Sequence, residues 1–318
     1  MDALPVGDGD EKDPANQEAA NQEAANQEPE VPETANFARS QTMPSGYAST
    51  DKNVSIEALV ARVPDGASVA LGGSFLHRGP FAFVRELIRQ KKKDLEIIKQ
   101  SPGYDIDILC RAGVVSKVRA GIVAMEGNFG LAPFYRRAIE QGKVKLEEHA
   151  CASLTAGLRA AAFGVPFQPC GGLHGSDIAE LNGWAKLDDP YGKGEPVYVI
   201  PAIQPDFAVI HASEVDAQGN VRIAGTYHWD RIMTRAAKSV LVVAERMVDS
   251  AVFKQTPEAT VVPYFMVQAF SIVPQGAWPG SCWPDYEIDY PAVEAYLEAG
   301  EDALMSHLSR GPELGARS

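Results

Sequence analysis

The sequence is poor in cysteine, and the cysteines it has are not paired. Cys110, Cys151, Cys170 and Cys282 are the only four in 318 residues. They are widely spaced, with no Cys-x-x-Cys, a pattern of reduced intracellular thiols rather than of a disulfide framework. Cys170 with His174, and His149 with Cys151, are the nearest approaches to ligand pairs. Neither has the clustering of a zinc centre, so no metal and no permanently bound cofactor are expected. No run approaches the roughly 18 apolar residues that cross a bilayer, and the opening MDALPVGDGDEKD is acidic where a secretory signal is basic and then apolar. The expected compartment is the cytoplasm, with no membrane contact. Positive charge is also scarce: the net charge is −13 at pH 7, and no basic stripe offers itself to nucleic acid.

The acidity is concentrated at one end. Residues 1–36 hold ten acids against the single base Lys12, so the rest of the chain carries only about −4 of the −13. Within that acidic stretch ANQEA repeats from Ala15 to Glu28. A five-residue period matches neither helix nor strand, and alanine alone buries too little surface to offset chain entropy. Residues 1–50 are expected to be a disordered acidic tail, and 51–318 the folded domain.

Beyond the tail, strand-like and helix-like segments alternate. SVALGG (68–73), LEIIK (95–99), VRAGIVAM (118–125), VYVIP (197–201), DFAVIHAS (206–213), NVRIAG (220–225) and SVLVVAE (239–245) are predicted strands. Short, β-branched, continuously apolar strands are those buried on both faces. Helices are expected from Pro80 to Lys92 and over 106–113, 131–142 and 151–164, with one or two more in DYPAVEAYLEAGEDALMSHL. In the first, Phe81, Val84, Leu87 and Ile88 form the apolar face, while Arg85, Glu86, Arg89 and Gln90 are expected to face water. The class is α/β: a mostly parallel sheet flanked by helices in a three-layer αβα arrangement.

Two loops draw attention as ligand sites. GGSFLHRG (72–79) joins a strand to a helix, where glycines allow close backbone approach to a ligand. It has neither the G-x-G-x-x-G of a dinucleotide fold nor the ending of a P-loop. MEGNFG (125–130) follows a predicted strand at its carboxyl end, where α/β sheets present ligand groups, and it carries Glu126. Nucleophiles are scarce. No G-x-S-x-G elbow is present, and Cys151, at a helix start that can lower a thiol pKa, would be a nucleophile only with a neighbouring base; a packing role is the expectation.

Read in order, VALGGSFLHRGPFAFVREL, DILCRAGVV, MEGNFGLAPFYRRAIEQGKVKLEE, GLRAAAFGVPFQP with LHGSD, PDFAVIHASEVDAQGNVRIAG, DRIMTRAAKSVLVVAERMV and PQGAWPGSCWPDYEID resemble the alpha subunit of glutaconate-type CoA-transferases (family I). The likeness runs from about residue 54 to 300. It implies a heteromer with a beta subunit of related fold. That beta subunit would carry the catalytic glutamate, and CoA would pass from an acyl-CoA to a carboxylic acid through a glutamyl-CoA thioester. Coenzyme A is then a substrate, and no catalytic residue is expected in this chain. Gly72, Gly73, Ser74 and Phe75 would border the acyl pocket, with Glu126, Ser176 and Asp177 as further lining and the loop amides holding the thioester oxygen. Gly171 stands where relatives often carry Arg, and Arg78 is the candidate replacement for that lost carboxylate partner. A neighbouring branch resembles ring-opening acyl-CoA hydrolases that use an alpha-subunit glutamate. Here Cys151 falls near that position, and Glu126 or Glu148 would have to serve.

Overall fold

The structure is a computed structural model and describes residues 52–192, 194–300 and 303–309; the acidic tail lies outside them. The strands are β1 (Ser68–Leu71), β2 (Leu95–Lys99), β3 (Val115–Ala120), β4 (Lys145–Glu148), β5 (Phe167–Cys170), β6 (Lys186–Leu187), β7 (Val197–Pro201), β8 (Phe207–Asp216), β9 (Val221–Arg222), β10 (Ser239–Val248) and β11 (Val267–Ile272). The main sheet has the order β11-β10-β8-β1-β2-β3-β4. All its neighbours run parallel, and β9 pairs antiparallel with the far end of β8.

Alternation along the strands builds three layers. Val69 and Leu71 of β1, Val209 of β8 and Leu241 and Val243 of β10 face one core. Ala70, Ala208, Ile210, Val240 and Val242 face the other. The helices Phe81–Arg89 and Tyr104–Arg111 cover the first face, and Cys151–Ala162 with Asp230–Ala236 the second. This is the mostly parallel αβα fold expected from the sequence. No helix among the described residues is long and apolar enough to cross a membrane.

Four expectations about elements are corrected. VYVIP (β7) lies outside the main sheet, in a small antiparallel sheet of order β5-β7-β6. The third strand occupies 115–120 rather than 118–125. Its outer positions are charged: Lys117 bridges Glu96 and Glu147, and Arg119 does the same. The cross-strand ladder stabilises a strand that hydrophobicity alone places too late. Two edge strands, β4 and β11, are not among the strands expected from the sequence; β4, KLEE, has a single apolar residue. Lastly, Arg85 and Glu86 are each only 5% exposed. The segment after β11 folds across that helix, where Arg85 donates to the Trp278 carbonyl and stacks on its ring.

The chain builds outward from β1 through β2, β3 and β4, then returns so that β8 lands on the other side of β1. This reversal leaves a crevice at the carboxyl end of β1, beside Val209 and Ile210 of β8, at the kind of switch point where open α/β sheets bind ligands.

Candidate active site

The glycine loop leaves β1 at that crevice. Gly72 keeps the strand going by donating to Val209 O at 2.8 Å. Gly73 then turns with φ +73, and a Cβ there would lie 2.4 Å from the carbonyl oxygens of His77 and Arg78, so only glycine fits. The loop is pinned from three sides. Phe75 N–H donates to Ser101 O beyond β2, and Ser74 and His77 exchange main-chain bonds. Ser281 N–H donates to Leu76 O, while Arg78 N–H donates to Ser281 O.

These bonds change the expected chemistry of the loop. Every amide from Gly72 to Arg78 already donates within the chain, with Gly73 N–H on Asp230 Oδ1 and Leu76 N–H on Glu126 Oε1. The loop is therefore not an open nest for the thioester oxygen. Arg78 is likewise committed. It is 4% exposed, with Nη1 2.5 Å from Asp230 Oδ2 and further bonds to the carbonyls of His211 and Thr226. Its guanidinium fastens the loop to β8 and to the helix Asp230–Ala236, which leaves no free fork for a substrate carboxylate.

Ser74 and Phe75 are half-buried at the crest of the loop. Beside them stands Glu126, in the short turn Glu126–Phe129. Its Oε1 accepts Leu76 N–H at 3.3 Å and lies 3.5 Å from His77 Nε2. The other side of the His77 ring, Nδ1, is 2.7 Å from Ser281 Oγ. Phe75, Arg78, Glu126 and His228 all have positive φ, between 43° and 61°. Side chains other than glycine adopt this region at a cost of about 1–3 kcal/mol each. Such strain gathers where function holds it.

One cavity adjoins the loop, and a second lies at the start of the helix Cys151–Ala162. The first, of about 460 Å³, is lined by His77, Arg78, Thr226, His228, Ser281 and Trp283 among others. Burial, with Arg78 adding to it, pushes the His228 imidazole down to about 4, so it is neutral at pH 7. The other, about 500 Å³, has Gln100, Cys151, Thr155, Arg159, Gly171 and Trp229 in its walls. Cys151 is exposed at the first turn of its helix, and no base contacts its thiol among the described residues.

Beneath the loop, His211, Glu245 and Cys282 offer ligand atoms within 4.8 Å of one another. Glu245 Oε1 accepts from His211 Nε2 and the Tyr286 hydroxyl, each at 2.6 Å, and Oε2 accepts Gln275 N–H. Burial first, then the Glu245 charge, pushes the Cys282 thiol up to about 12. These bonds occupy both Glu245 oxygens, while His211 Nδ1 is buried with no hydrogen-bond partner among the described residues.

The structure thus brings Gly72, Gly73, Ser74, Phe75, Arg78 and Glu126 together. Glu148 is exposed at the end of edge strand β4, and Ser176 and Asp177 lie just before the short helix Ile178–Leu181. Among the described residues, no hydrogen bond or ion pair links these three to the glycine loop. Sequence reading missed His77, Asp230, Ser281 and His228. They come from distant segments, and only the fold shows that FLHRG, HWDR and GSC meet.

Comparison with known proteins agrees with this geometry. The family model for coenzyme A transferase matches residues 53–271. The chain belongs to the coenzyme A transferase family, as an alpha subunit. The corresponding subunit of the 3-oxoadipate CoA-transferase of Pseudomonas knackmussii is 33% identical over 251 residues, 77% of this chain and 87% of that protein. The cholesterol ring-cleaving hydrolase IpdA subunit of Mycobacterium tuberculosis is 30% identical over 260 residues, 78% and 88% of the two chains. An uncharacterized protein of Archaeoglobus fulgidus is 36% identical over 249 residues, which is 78% of this chain but only 56% of that protein's length. Among solved structures, glutaconate coenzyme A-transferase from Acidaminococcus fermentans matches with TM-score 0.76 and 27% identity, covering 80% of this chain and 86% of that one. A variant of the decarboxylase AibA/AibB matches with TM-score 0.74 and 33% identity, covering 82% and 100%.

Proposed function

We propose that this chain is the alpha subunit of a heteromeric CoA-transferase that moves CoA from an acyl-CoA to a carboxylic acid. The glutamyl-CoA thioester forms on a beta-subunit partner, and residues 51–318 act as one domain that supplies the wall of the acyl pocket. Gly72, Gly73, Ser74, Phe75 and Glu126 are the proposed lining, with Arg78 fixing the loop that carries them. The enzyme works in the cytoplasm, where acyl-CoA is found and four unpaired thiols persist.

The observation that carries this reading is a crevice at the β1–β8 switch point with shaped walls and no activated nucleophile. Among the described residues, the Ser74 hydroxyl has no base, the Cys282 thiol is buried, and Glu126 has one oxygen held by the loop. The covalent carboxylate is assigned to the partner on the family resemblance, with Glu126 Oε1 already accepting Leu76 N–H in the loop. The alternative, a subunit of an acyl-CoA hydrolase, is favoured by the name of the IpdA relative and by the strained backbone at Glu126. Glu148 supports it less, standing apart on an edge strand.

The test is to incubate the co-expressed complex with an acyl-CoA and free carboxylic acids and to look for acceptor-CoA by mass spectrometry. Acceptor-CoA that requires both chains is expected. Free CoA or a cleaved acyl product formed without any acceptor would replace the transferase reading with the hydrolase one.

A further inference from the structure

We infer that Glu126 and His77 form an acid–base pair that exchanges the proton on the carbon next to the thioester carbonyl of a bound acyl-CoA. The inference rests on the reading that this crevice takes acyl-CoA, and it adds an activity that CoA transfer does not need. A carboxylate nucleophile on the partner requires no proton donor or acceptor from this chain, yet the crevice holds one of each.

Three features separate this pair from an ordinary surface contact. Glu126 is held at φ +61, a conformation that a glutamate adopts only when its surroundings impose it. Its two oxygens are treated differently: Oε1 receives Leu76 N–H and faces His77 Nε2, while Oε2 has no partner among the described residues. A carboxylate anchored through one oxygen and open at the other is the geometry of a general base. The imidazole is anchored as firmly. Ser281, 3% exposed, holds Nδ1 at 2.7 Å, and its own main chain is bonded to Leu76 and Arg78 on both sides of His77. The proposed pair uses the tautomer in which the Ser281 hydroxyl donates to Nδ1 and the ring proton is on Nε2, the nitrogen that faces Glu126. The pair stays reachable, since the side chains are 46% and 24% exposed, and His77 lines the cavity of about 460 Å³ with His228.

The chemistry balances without an oxidant, reductant or second substrate. Glu126 Oε2 takes the proton from the carbon next to the carbonyl. The C–H electron pair becomes the carbon–carbon double bond of an enolate, and the carbonyl pair moves to oxygen, where His77 Nε2–H donates to it. The new Glu126 carboxyl exchanges its proton with water, and return of a solvent proton restores the acyl-CoA.

The experiment uses the complex with its partner in D2O, with butyryl-CoA as the probe and no acceptor acid. Deuterium at the carbon next to the thioester is read by mass spectrometry and NMR. The wild-type complex is expected to incorporate deuterium. Glu126→Gln, which can still accept Leu76 N–H, is expected to lower kcat for exchange about 100-fold while KM for butyryl-CoA changes little. His77→Gln is expected to lower it about tenfold or more. Ser281 is a positioning residue, so Ser281→Ala is expected to slow exchange only through His77. Adding Ser281→Ala to His77→Gln then costs nothing further, a non-additivity that general loosening of the loop would not produce. Transfer to an acceptor without deuterium uptake overturns this inference alone, and exchange without transfer overturns the transferase reading alone. A Glu126→Gln complex that exchanges at the wild-type rate also overturns the inference.

Discussion

Arg78 and Asp230 form a buried ion pair, Nη1 to Oδ2 2.5 Å, that fastens the loop after β1 to the helix on the opposite side of the crevice. The second oxygen of Asp230 takes Gly73 N–H, so one carboxylate holds both ends of the loop. Asp230→Asn keeps the shape but leaves the guanidinium uncompensated at 4% exposure. Breaking a buried pair from one side costs about 3–5 kcal/mol, and urea unfolding is expected to show a loss in that range. The double change Arg78→Met with Asp230→Leu should cost less than Asp230→Asn alone. A loss below about 1 kcal/mol for Asp230→Asn would show that the pair does not organise the loop.

Gly73 provides a sharper steric test. Gly73→Ala combines φ +73 with a Cβ placed 2.4 Å from two carbonyl oxygens, so the loop has to move. Gly127, next to Glu126, has nothing within 4 Å of an added Cβ. Gly73→Ala is expected to lower the melting temperature and turnover together, while Gly127→Ala changes stability by no more than about 0.5 kcal/mol. Calorimetry on the two variants, with turnover of the same preparations, makes the comparison.

The charge ladder on β2, β3 and β4 sets a pH limit. The His149 imidazole, and then Lys117 and Arg119, hold the Glu147 carboxyl down to about 2 against the opposing effect of burial, from an ordinary value of 4.5. A depressed carboxylate stabilises the fold fully above its unfolded value, and the contribution is lost as pH falls through the folded one. Melting temperature is therefore expected to decline between about pH 5 and pH 2, with a shallower decline in Glu147→Gln. Parallel slopes for the two proteins would remove Glu147 from the account.

Much of this fold was legible because buried parallel strands announce themselves: LEIIK falls on the strand boundaries found, whereas VYVIP has the right boundaries but belongs to the small antiparallel sheet. What stayed hidden depends on distant chain. Arg85 and Glu86 read as solvent-facing because nothing local shows that distant chain buries this face, with Trp278 landing on Arg85. KLEE, an edge strand with charged side chains, lacks the apolar signal of its neighbours because an edge strand is protected by charge rather than by burial. At the site, the glycine loop and Glu126 stand out by position after a strand. Ser281 and Asp230 do not, since each acts only through a contact more than 150 residues away in sequence.

In the proposed function, this chain shapes a pocket whose covalent step occurs on another chain. The most direct measurement is to mix the co-expressed complex with an acyl-CoA, quench, digest both chains and locate any CoA thioester by mass spectrometry. A thioester is expected on a glutamate of the partner and none on this chain. A CoA thioester on Glu126, Glu148 or any other carboxylate of this chain would contradict this reading.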